Sequence, residues 1–254
     1  MKIATWNVNS LSARMPRVVG WLEDVQPDVL CVQETKQDDA KFPSETFVDL
    51  GYEPAHFGDG RWNGVAILSR VGLDDVEIGF GDDHDELGCR LIAASCGGVR
   101  VYSVYVPNGR SLESEHYTRK LDWLSALREN LDERCDAGGK VAICGDFNVA
   151  PRDSDVWDPA HFEGMTHVSE PERRALGEVM DWGLVDVFTK FNEPGTFSWW
   201  DYRGGSFHKG HGMRIDLILV TRPLADCAQD AWVDRDARKG EKPSDHAPVV
   251  VELR

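Results

Sequence analysis

Residues suited to chemistry on a phosphate ester recur at the ends of apolar segments of this chain. They comprise carboxylates, side-chain amides, one phenol and one imidazole: Asn7, Glu34, Tyr105, Asn108, Asp146, Asn148, Asp216, Asp245 and His246. Carboxylates are ligands that Mg²⁺ or Mn²⁺ prefers, amides can orient a water molecule, and an imidazole or a phenol can contact phosphate oxygens. The set therefore predicts a site where a hard divalent cation acts on a phosphodiester.

Each of these groups also has an ordinary structural explanation when it is taken alone. Glu34 could be a surface acid, Asp146 part of a turn after a strand, and Asp245 a capping residue in a loop. The functional interpretation depends on the repetition, because ends of several strands can hold reactive groups on one rigid scaffold.

The elements that must hold these groups are short strands. Segments rich in valine and isoleucine and bounded by turn residues predict strands at 2–8, 29–34, 64–69, 91–96, 99–106, 140–147, 214–220 and 248–253. Apolar residues at helical spacing predict helices around 15–25, 117–131 and 176–180. This strand content is too high for a simple alternating parallel sheet, so two packed sheets with outer helices fit better. Without an internal repeat or a linker, we expect a single domain over 1–254.

The charge balance limits how the chain could meet nucleic acid. The 254 residues carry 28 Lys and Arg against 44 Asp and Glu, a net charge of −16. Such a chain repels phosphate at long range unless basic residues cluster locally or a cation intervenes. Basic residues that could form a local strip, or be ordinary solvated surface, are Arg14, Arg17, Lys36, Arg61, Arg110, Arg203, Lys209 and Arg214. We expect the acidic segment 72–86 to be a solvated loop or edge.

Cysteine usage and hydropathy indicate a reducing compartment. The six cysteines are dispersed without a CxxC pair, and Cys31 and Cys144 lie in apolar strand-like segments, which predicts buried thiols. The amino terminus enters a predicted strand directly, and no segment has the roughly 18 apolar residues needed to span a bilayer. We expect a cytoplasmic protein that does not bind membranes.

Several stretches of the chain resemble, in the same order, the exonuclease III family of abasic-site endonucleases within the endonuclease/exonuclease/phosphatase superfamily. They are WNVNSLSAR (6–14), QETK (33–36), YVPNG (105–109), GDFNVAPRDSDVWDP (145–159), TFSWWDYR (196–203), RIDLIL (214–219) and SDHAPV (244–249). The short motifs QE (33–34), GDxN (145–148) and SDH (244–246) are shared across the superfamily. The long stretches at 145–159 and 196–203 are closer to exonuclease III-type enzymes. The resemblance implies an α/β fold, a four-layered sandwich of two packed mixed β-sheets flanked by helices, with the site at one end.

The resemblance also implies roles in metal binding and water activation. Glu34 would ligate Mg²⁺, or Mn²⁺ in its place, with Asn7 and Asp245 in the same metal region. Asp146 would activate the attacking water and Asn148 would orient it. Asp146 must stay ionised for this, and we expect nearby cations to lower its pKa. Whether a second ion binds is open; its ligands would be Asp146, Asn148 and His246.

Further roles concern the phosphate and the lesion. Tyr105 and Asn108 would contact the phosphate, and Asp216 would hold His246 and raise its pKa by charge pairing. Arg110 and Lys36 are predicted to contact the DNA backbone. The predicted walls of a pocket for a flipped-out abasic sugar are Trp199, Met213 and Ile215. Trp199 could instead be a core aromatic, and Met213 stands where some relatives carry a bulkier aromatic.

The implied activity is Mg²⁺-dependent hydrolysis of the phosphodiester 5′ to abasic sites, leaving a 3′-hydroxyl and a 5′-deoxyribose phosphate. Exonuclease activity in the 3′–5′ direction and trimming of blocked 3′ ends on duplex DNA would accompany it, and we expect a monomer. One alternative is a phosphoesterase acting on inositol phosphates or lipids. Another is a non-catalytic nucleic-acid-binding relative, which would have lost part of the set Glu34, Asp146, Asp216 and His246; none is lost.

Overall fold

The computed structural model describes residues 1–81 and 87–254, and their strands form two sheets. The strands are β1 (Lys2–Asn7), β2 (Val29–Gln33), β3 (Glu53–Phe57), β4 (Val65–Ser69), β5 (Asp74–Ile78), β6 (Leu91–Cys96), β7 (Val99–Tyr105), β8 (Val141–Asp146), β9 (Leu184–Asp186), β10 (Asp216–Thr221), β11 (Ala228–Val233) and β12 (Val249–Leu253). The first sheet has the order β11-β12-β1-β2-β4-β3, and the second has the order β5-β6-β7-β8-β10-β9.

Both sheets are mixed and pack face to face. In the first, β1 is parallel to β2 and antiparallel to β12; in the second, β7 is parallel to β8 and β8 is antiparallel to β10. Buried side chains from both sheets, among them Ile3, Cys31, Ile67, Ile92, Cys144 and Ile218, form one apolar core between them. This shared core supports the single domain that we propose for 1–254.

Helices cover the outer faces. The α-helices of the described residues are α1 (Leu11–Val25), α2 (Ser44–Asp49), α3 (Glu115–Arg134), α4 (Glu170–Met180), α5 (Ser206–Lys209) and α6 (Arg222–Ala225). Val18 and Leu22 of α1 pack on the first sheet, while Leu127 of α3 and Leu176 of α4 pack on the second. The predicted four-layered sandwich and the three predicted helices are therefore confirmed.

The eight predicted strands are all present, and the four that sequence analysis missed are the four sheet edges. These are β3, β5, β9 and β11. An edge strand buries less surface, so it lacks the continuous apolar run that marks a central strand. β5 shows this most clearly, since all of its residues are exposed. It makes 74–78 the solvated edge that we expected, while 82–86 lie outside the described residues.

The prediction for the thiols is confirmed for the described structure. Cys31 and Cys144 are buried between the sheets, and every cysteine is free. In the part of the chain that is described, no helix is both long and apolar enough to cross a membrane.

Candidate active site

Strand register brings predicted site residues together at one end of the sandwich. In the second sheet Asp146 of β8 lies opposite Tyr105 of β7 on one side and Asp216 of β10 on the other. In the first sheet Asn7 ends β1, and Glu34 follows β2 with a left-handed backbone, φ 50°. The Nδ2 group of Asn7 joins the sheets by donating to Asp146 Oδ2 at 2.9 Å.

The centre of the site is a group of three side chains of the types that can hold a metal ion. Ligand atoms of Glu34, Asp146 and His246 all lie within 4.8 Å of one another. Asn7 Nδ2 donates to both Glu34 Oε1 and Asp146 Oδ2 at 2.9 Å, whereas its own oxygen accepts the Asn9 N–H at 3.0 Å. As placed, Asn7 therefore bridges the two carboxylates, and its oxygen faces away from them.

Asp245 occupies a neighbouring position. Its Oδ1 accepts from Asn9 Nδ2 at 3.0 Å, and its Oδ2 accepts from the Trp199 indole at 3.1 Å. Among the described residues it is not part of the group around Glu34. The structure thus places Asp245 in the same region but with both oxygens bonded to protein groups.

The donor set fits a hard divalent cation. Two carboxylates held side by side supply the oxygen ligands that such ions prefer. Glu34 keeps some exposure, with 16% of its side chain accessible, whereas Asp146 is buried. Lys36 Nζ lies 2.9 Å from Glu34 Oε2 and partly neutralises it. Glu34 and Asp146 are therefore the residues that would hold the cation.

His246 is held by a buried carboxylate. Its Nδ1 donates to Asp216 Oδ2 at 2.8 Å, and the Ser198 hydroxyl donates to the same oxygen at 2.6 Å. Burial favours a neutral imidazole, but the charges of Asp216 and Asp146 outweigh it and raise the pKa of His246 to about 10. This is the direction expected from the sequence. His246 is therefore an imidazolium at neutral pH, with its Nε2 3.8 Å from Asp146 Oδ2.

The pKa of Asp146 moves opposite to our expectation. Burial raises it to about 7, and the opposing charge of His246 does not compensate. The sequence predicts that neighbouring cations lower this pKa, but it does not reveal that the carboxylate is almost completely buried. A divalent cation beside Asp146 would add the missing positive charge and favour the ionised form.

Tyr105, Asn108 and Asn148 line the adjoining face. Burial and the negative charge of the neighbouring Glu34 raise the pKa of Tyr105 well above its usual value. Asn108 Nδ2 donates to Asn148 Oδ1 at 3.1 Å, and the Asn148 N–H donates to Asp146 Oδ1 at 2.9 Å. The three predicted residues therefore lie next to the carboxylates, as hydrogen-bonding groups with different exposure.

A cationic groove of about 390 Å³ runs outward from this face. Besides Glu34, Tyr105 and Asn108, its lining includes the basic residues Lys36, Arg90, Arg110 and Arg119 and the exposed Trp62. Arg110 is exposed, as a residue that contacts the DNA backbone must be. Lys36 is not free, because its Nζ bonds Glu34 and the Asn9 side chain.

The predicted pocket walls are mostly covered. Met213 and Ile215 are 2% and 3% exposed and pack in an apolar cluster with Val156 and Phe162. Trp199 is partly buried against this cluster, and its backbone pairs with that of Met213. The three residues are brought together, but two of them present little free surface.

The prediction that Arg214 belongs to a basic strip at the surface is wrong. Arg214 is 1% exposed and forms buried ion pairs with Asp155 and Asp186 at 2.8 and 2.7 Å. Its position before Asp216 in the sequence suggested the site, but its side chain turns into the interior, where two carboxylates compensate its charge. It therefore cannot face a phosphate.

Several supporting residues escaped sequence analysis. Ser198 holds Asp216, and the buried Lys120 and the ring of His167 both bond to the carbonyl of Asn148. A signal existed for Lys120, because it falls on the apolar face of its predicted helix, three residues after Tyr117. Ser198 and His167 lie in irregular segments, where spacing gives no direction for a side chain.

Fold and site together define a hydrolase that acts on phosphate esters, with a group of side chains that could hold a metal ion. The model of the endonuclease/exonuclease/phosphatase family matches residues 4–246. The chain belongs to this family.

Individual relatives match over the full length. Exodeoxyribonuclease III of Haemophilus influenzae is 34% identical, with 100% of both chains covered. An AP endonuclease from Archaeoglobus fulgidus superposes with a TM-score of 0.95 at 40% identity, and the 3′ phosphatase NExo from Neisseria, bound to a product DNA hairpin, with a TM-score of 0.96 at 41% identity. Each comparison covers 100% of this chain and 99% of the other. The chain is thus a phosphodiester-hydrolysing nuclease.

Proposed function

We propose that this chain is a Mg²⁺-dependent DNA repair nuclease that acts on duplex DNA. Its reactions would be cleavage 5′ to abasic sites, leaving a 3′-hydroxyl and a 5′-deoxyribose phosphate, and 3′–5′ trimming of DNA ends. The observation that carries this proposal is the group of Glu34, Asp146 and His246, whose ligand atoms lie within 4.8 Å of one another. The names of the relatives, an exodeoxyribonuclease, an AP endonuclease and a 3′ phosphatase, support the substrate class.

The residues divide the reaction between them. Glu34 and Asp146 would hold a divalent cation, which would supply positive charge for the phosphate oxygens. The water oxygen bonds to phosphorus and its proton passes to Asp146, while the bond between phosphorus and the 3′-oxygen breaks; the leaving 3′-oxygen takes a proton from solvent water and becomes the 3′-hydroxyl. Asn148 orients that water. The imidazolium of His246 opposes the negative charge that builds up on the phosphate, and Asp216 maintains that imidazolium.

The two proposed substrates make different demands on the pocket. A flipped-out abasic sugar needs space beside Trp199, Met213 and Ile215, where two side chains are nearly covered. A terminal 3′ group needs only the cationic groove and the face formed by Tyr105, Asn108 and Asn148, which we call the phosphate face. We therefore propose both activities and expect their ratio to depend on how far this wall opens.

One experiment tests the proposal and its alternatives. Three labelled duplexes, with one abasic analogue, with a 3′-phosphate end and without damage, are incubated with the protein in Mg²⁺ and in EDTA, beside an inositol phosphate. We expect cleavage of DNA in Mg²⁺ alone. Hydrolysis of the inositol phosphate but not DNA would favour the alternative phosphoesterase, and DNA binding without cleavage would favour a non-catalytic relative.

Partner and compartment complete the proposal. The partner is duplex DNA with abasic sites or blocked 3′ ends, the active form is a monomer, and the free thiols fit the reducing cytoplasm. Sedimentation of the protein with and without a damaged duplex tests the monomer.

A further inference from the structure

A fully buried ion pair lies directly behind the phosphate face. Lys120 of α3 and Glu172 of α4 have side chains with no solvent exposure, and they contact each other. Burial of a lone ammonium is costly, so such a group persists only with good partners. No step of the proposed reaction uses Lys120, so its role must follow from the groups that it contacts.

The other partners of Lys120 are backbone oxygens of two site residues. Its Nζ donates to the carbonyl of Asn148 at 2.6 Å and to that of Asn108 at 3.3 Å. The side chains of these two residues meet on the opposite side, where Asn108 Nδ2 donates to Asn148 Oδ1. One buried ammonium thus bonds the backbone of two residues whose carboxamides bond each other, and Asn148 Nδ2 is held in turn by the Val106 carbonyl at 2.9 Å.

Asn148 needs such support. Its φ of 50° lies in the left-handed region, which asparagine adopts more readily than most residues with a side chain but still less readily than glycine. Its carbonyl accepts a second bond from His167 Nδ1 at 2.5 Å. Glu172 binds Lys120 and also accepts the His167 N–H at 2.9 Å, so one carboxylate positions both donors.

We infer that Lys120 is a positioning residue for hydrolysis: its ammonium, oriented by Glu172, holds Asn108 and Asn148 so that their carboxamides face the phosphate and the attacking water. This inference rests on the proposed function. It predicts a specific kinetic signature. Lys120 is not itself a lining residue of the cationic groove and reaches it only through the backbone of Asn108, so its loss should reduce turnover more than it changes DNA affinity or metal demand.

The test compares full-length variants. In Lys120→Met the turnover kcat should fall about 100-fold, the scale of a displacement near 1 Å of a catalytic group. KM should change less than about threefold, and the Mg²⁺ concentration for half-maximal rate should stay the same. The double variant Lys120→Met/Glu172→Gln removes both charges together and should show the same loss of kcat even if the single variant folds poorly. Leu127→Ala is the matched control, because it weakens the buried face of the same helix without touching either carbonyl.

The outcomes separate the inference from the proposed function. Wild-type kcat in either folded Lys120 variant, or an equal fall in kcat for Leu127→Ala at the same loss of Tm, would overturn the positioning role. A parallel shift in the Mg²⁺ requirement would overturn it too, because the defect would then be general loosening. Failure of the wild-type protein to cleave DNA would instead contradict the proposed function.

Discussion

Replacing Asp216 by asparagine removes one buried charge while keeping the shape of the side chain. Asp216 is completely buried, its carboxylate accepts His246 Nδ1–H at 2.8 Å, and Ser198 holds it from the other side. An asparagine can retain the hydrogen bond to the imidazole through its oxygen. The perturbation therefore tests the charge of Asp216 separately from its geometry.

The expected magnitude follows from Coulomb's law. Two unit charges about 4 Å apart interact by about 4 kcal/mol at an effective dielectric constant of 20. That energy corresponds to about 3 pKa units, so the pKa of His246 should fall from about 10 to about 7. Wild-type His246 keeps its proton until the pH approaches 10, whereas the variant loses it as the pH rises through neutrality.

The assay is single-turnover cleavage of a labelled duplex at saturating enzyme, from pH 6 to pH 9.5. We expect Asp216→Asn to lower the rate roughly tenfold at pH 8 and roughly 100-fold at pH 9, because the protonated fraction of His246 falls by these factors, and to move the alkaline limb of its profile toward pH 7. The affinity for uncleaved DNA in EDTA should change little. Ser198→Ala, which leaves the charge in place, should keep the alkaline limb of the wild type.

Two results would refute this reasoning. A rate within threefold of wild type would mean that the Asp216–His246 pair is structural. A large loss of rate without a shift of the alkaline limb would mean that Asp216 acts by orientation and that the charge of His246 is not what the reaction needs.

The remaining predictions concern metal, DNA binding, the pocket and acid stability. Removing divalent cations with EDTA should leave circular dichroism and Tm almost unchanged, since the core between the sheets contains no proposed ligand; unfolding in EDTA would make the metal structural. Arg110→Ala should weaken binding to damaged and undamaged duplex about equally, and the slope of log affinity against log salt concentration should become shallower by about one. An effect on damaged DNA alone would mean that Arg110 reads the lesion. Trp199→Ala should narrow the ratio of abasic to undamaged cleavage, measured in single turnover, and an unchanged ratio would place the pocket elsewhere. Burial and the nearby Lys120 charge lower the pKa of His167 to about 4, whereas a histidine in an unfolded chain has a pKa of roughly 6.5. The free energy of unfolding should therefore keep its full value above pH 6.5 and decrease as the pH drops toward 4. Urea unfolding at pH 7 and pH 4.5 measures this loss, and His167→Gln should lose less stability over the same interval.

The sequence predicts the inside of this fold better than its borders. Central strands such as β8 (Val141–Asp146) are buried on both faces and appear as continuous apolar segments. The edge strand β3 contains a proline and only partly buried side chains, and β9 has only three residues. Their pairing depends on the neighbouring strand, which a local pattern does not contain.

The site divides in a similar way. Residues at the ends of central strands, such as Asp146 and Asp216, could be located because the strand fixes where they stand. The direction of a side chain is not contained in the local pattern, so the sequence predicts a surface position for Arg214, which is buried between Asp155 and Asp186. Bonds that run through the backbone, such as that of Lys120 to the Asn148 carbonyl, leave no trace in residue type.

The most direct test of the proposed metal-dependent chemistry is a Mg²⁺ titration of single-turnover DNA cleavage by the wild type and by Glu34→Gln. Glu34 is the more accessible carboxylate of the group, and its replacement removes a charged ligand without emptying the site. We predict no cleavage by the wild type in EDTA, and for Glu34→Gln a half-maximal Mg²⁺ concentration at least tenfold higher. Cleavage that persists in EDTA, or a variant with the metal response of the wild type, would contradict a reaction centred on Glu34, Asp146 and His246.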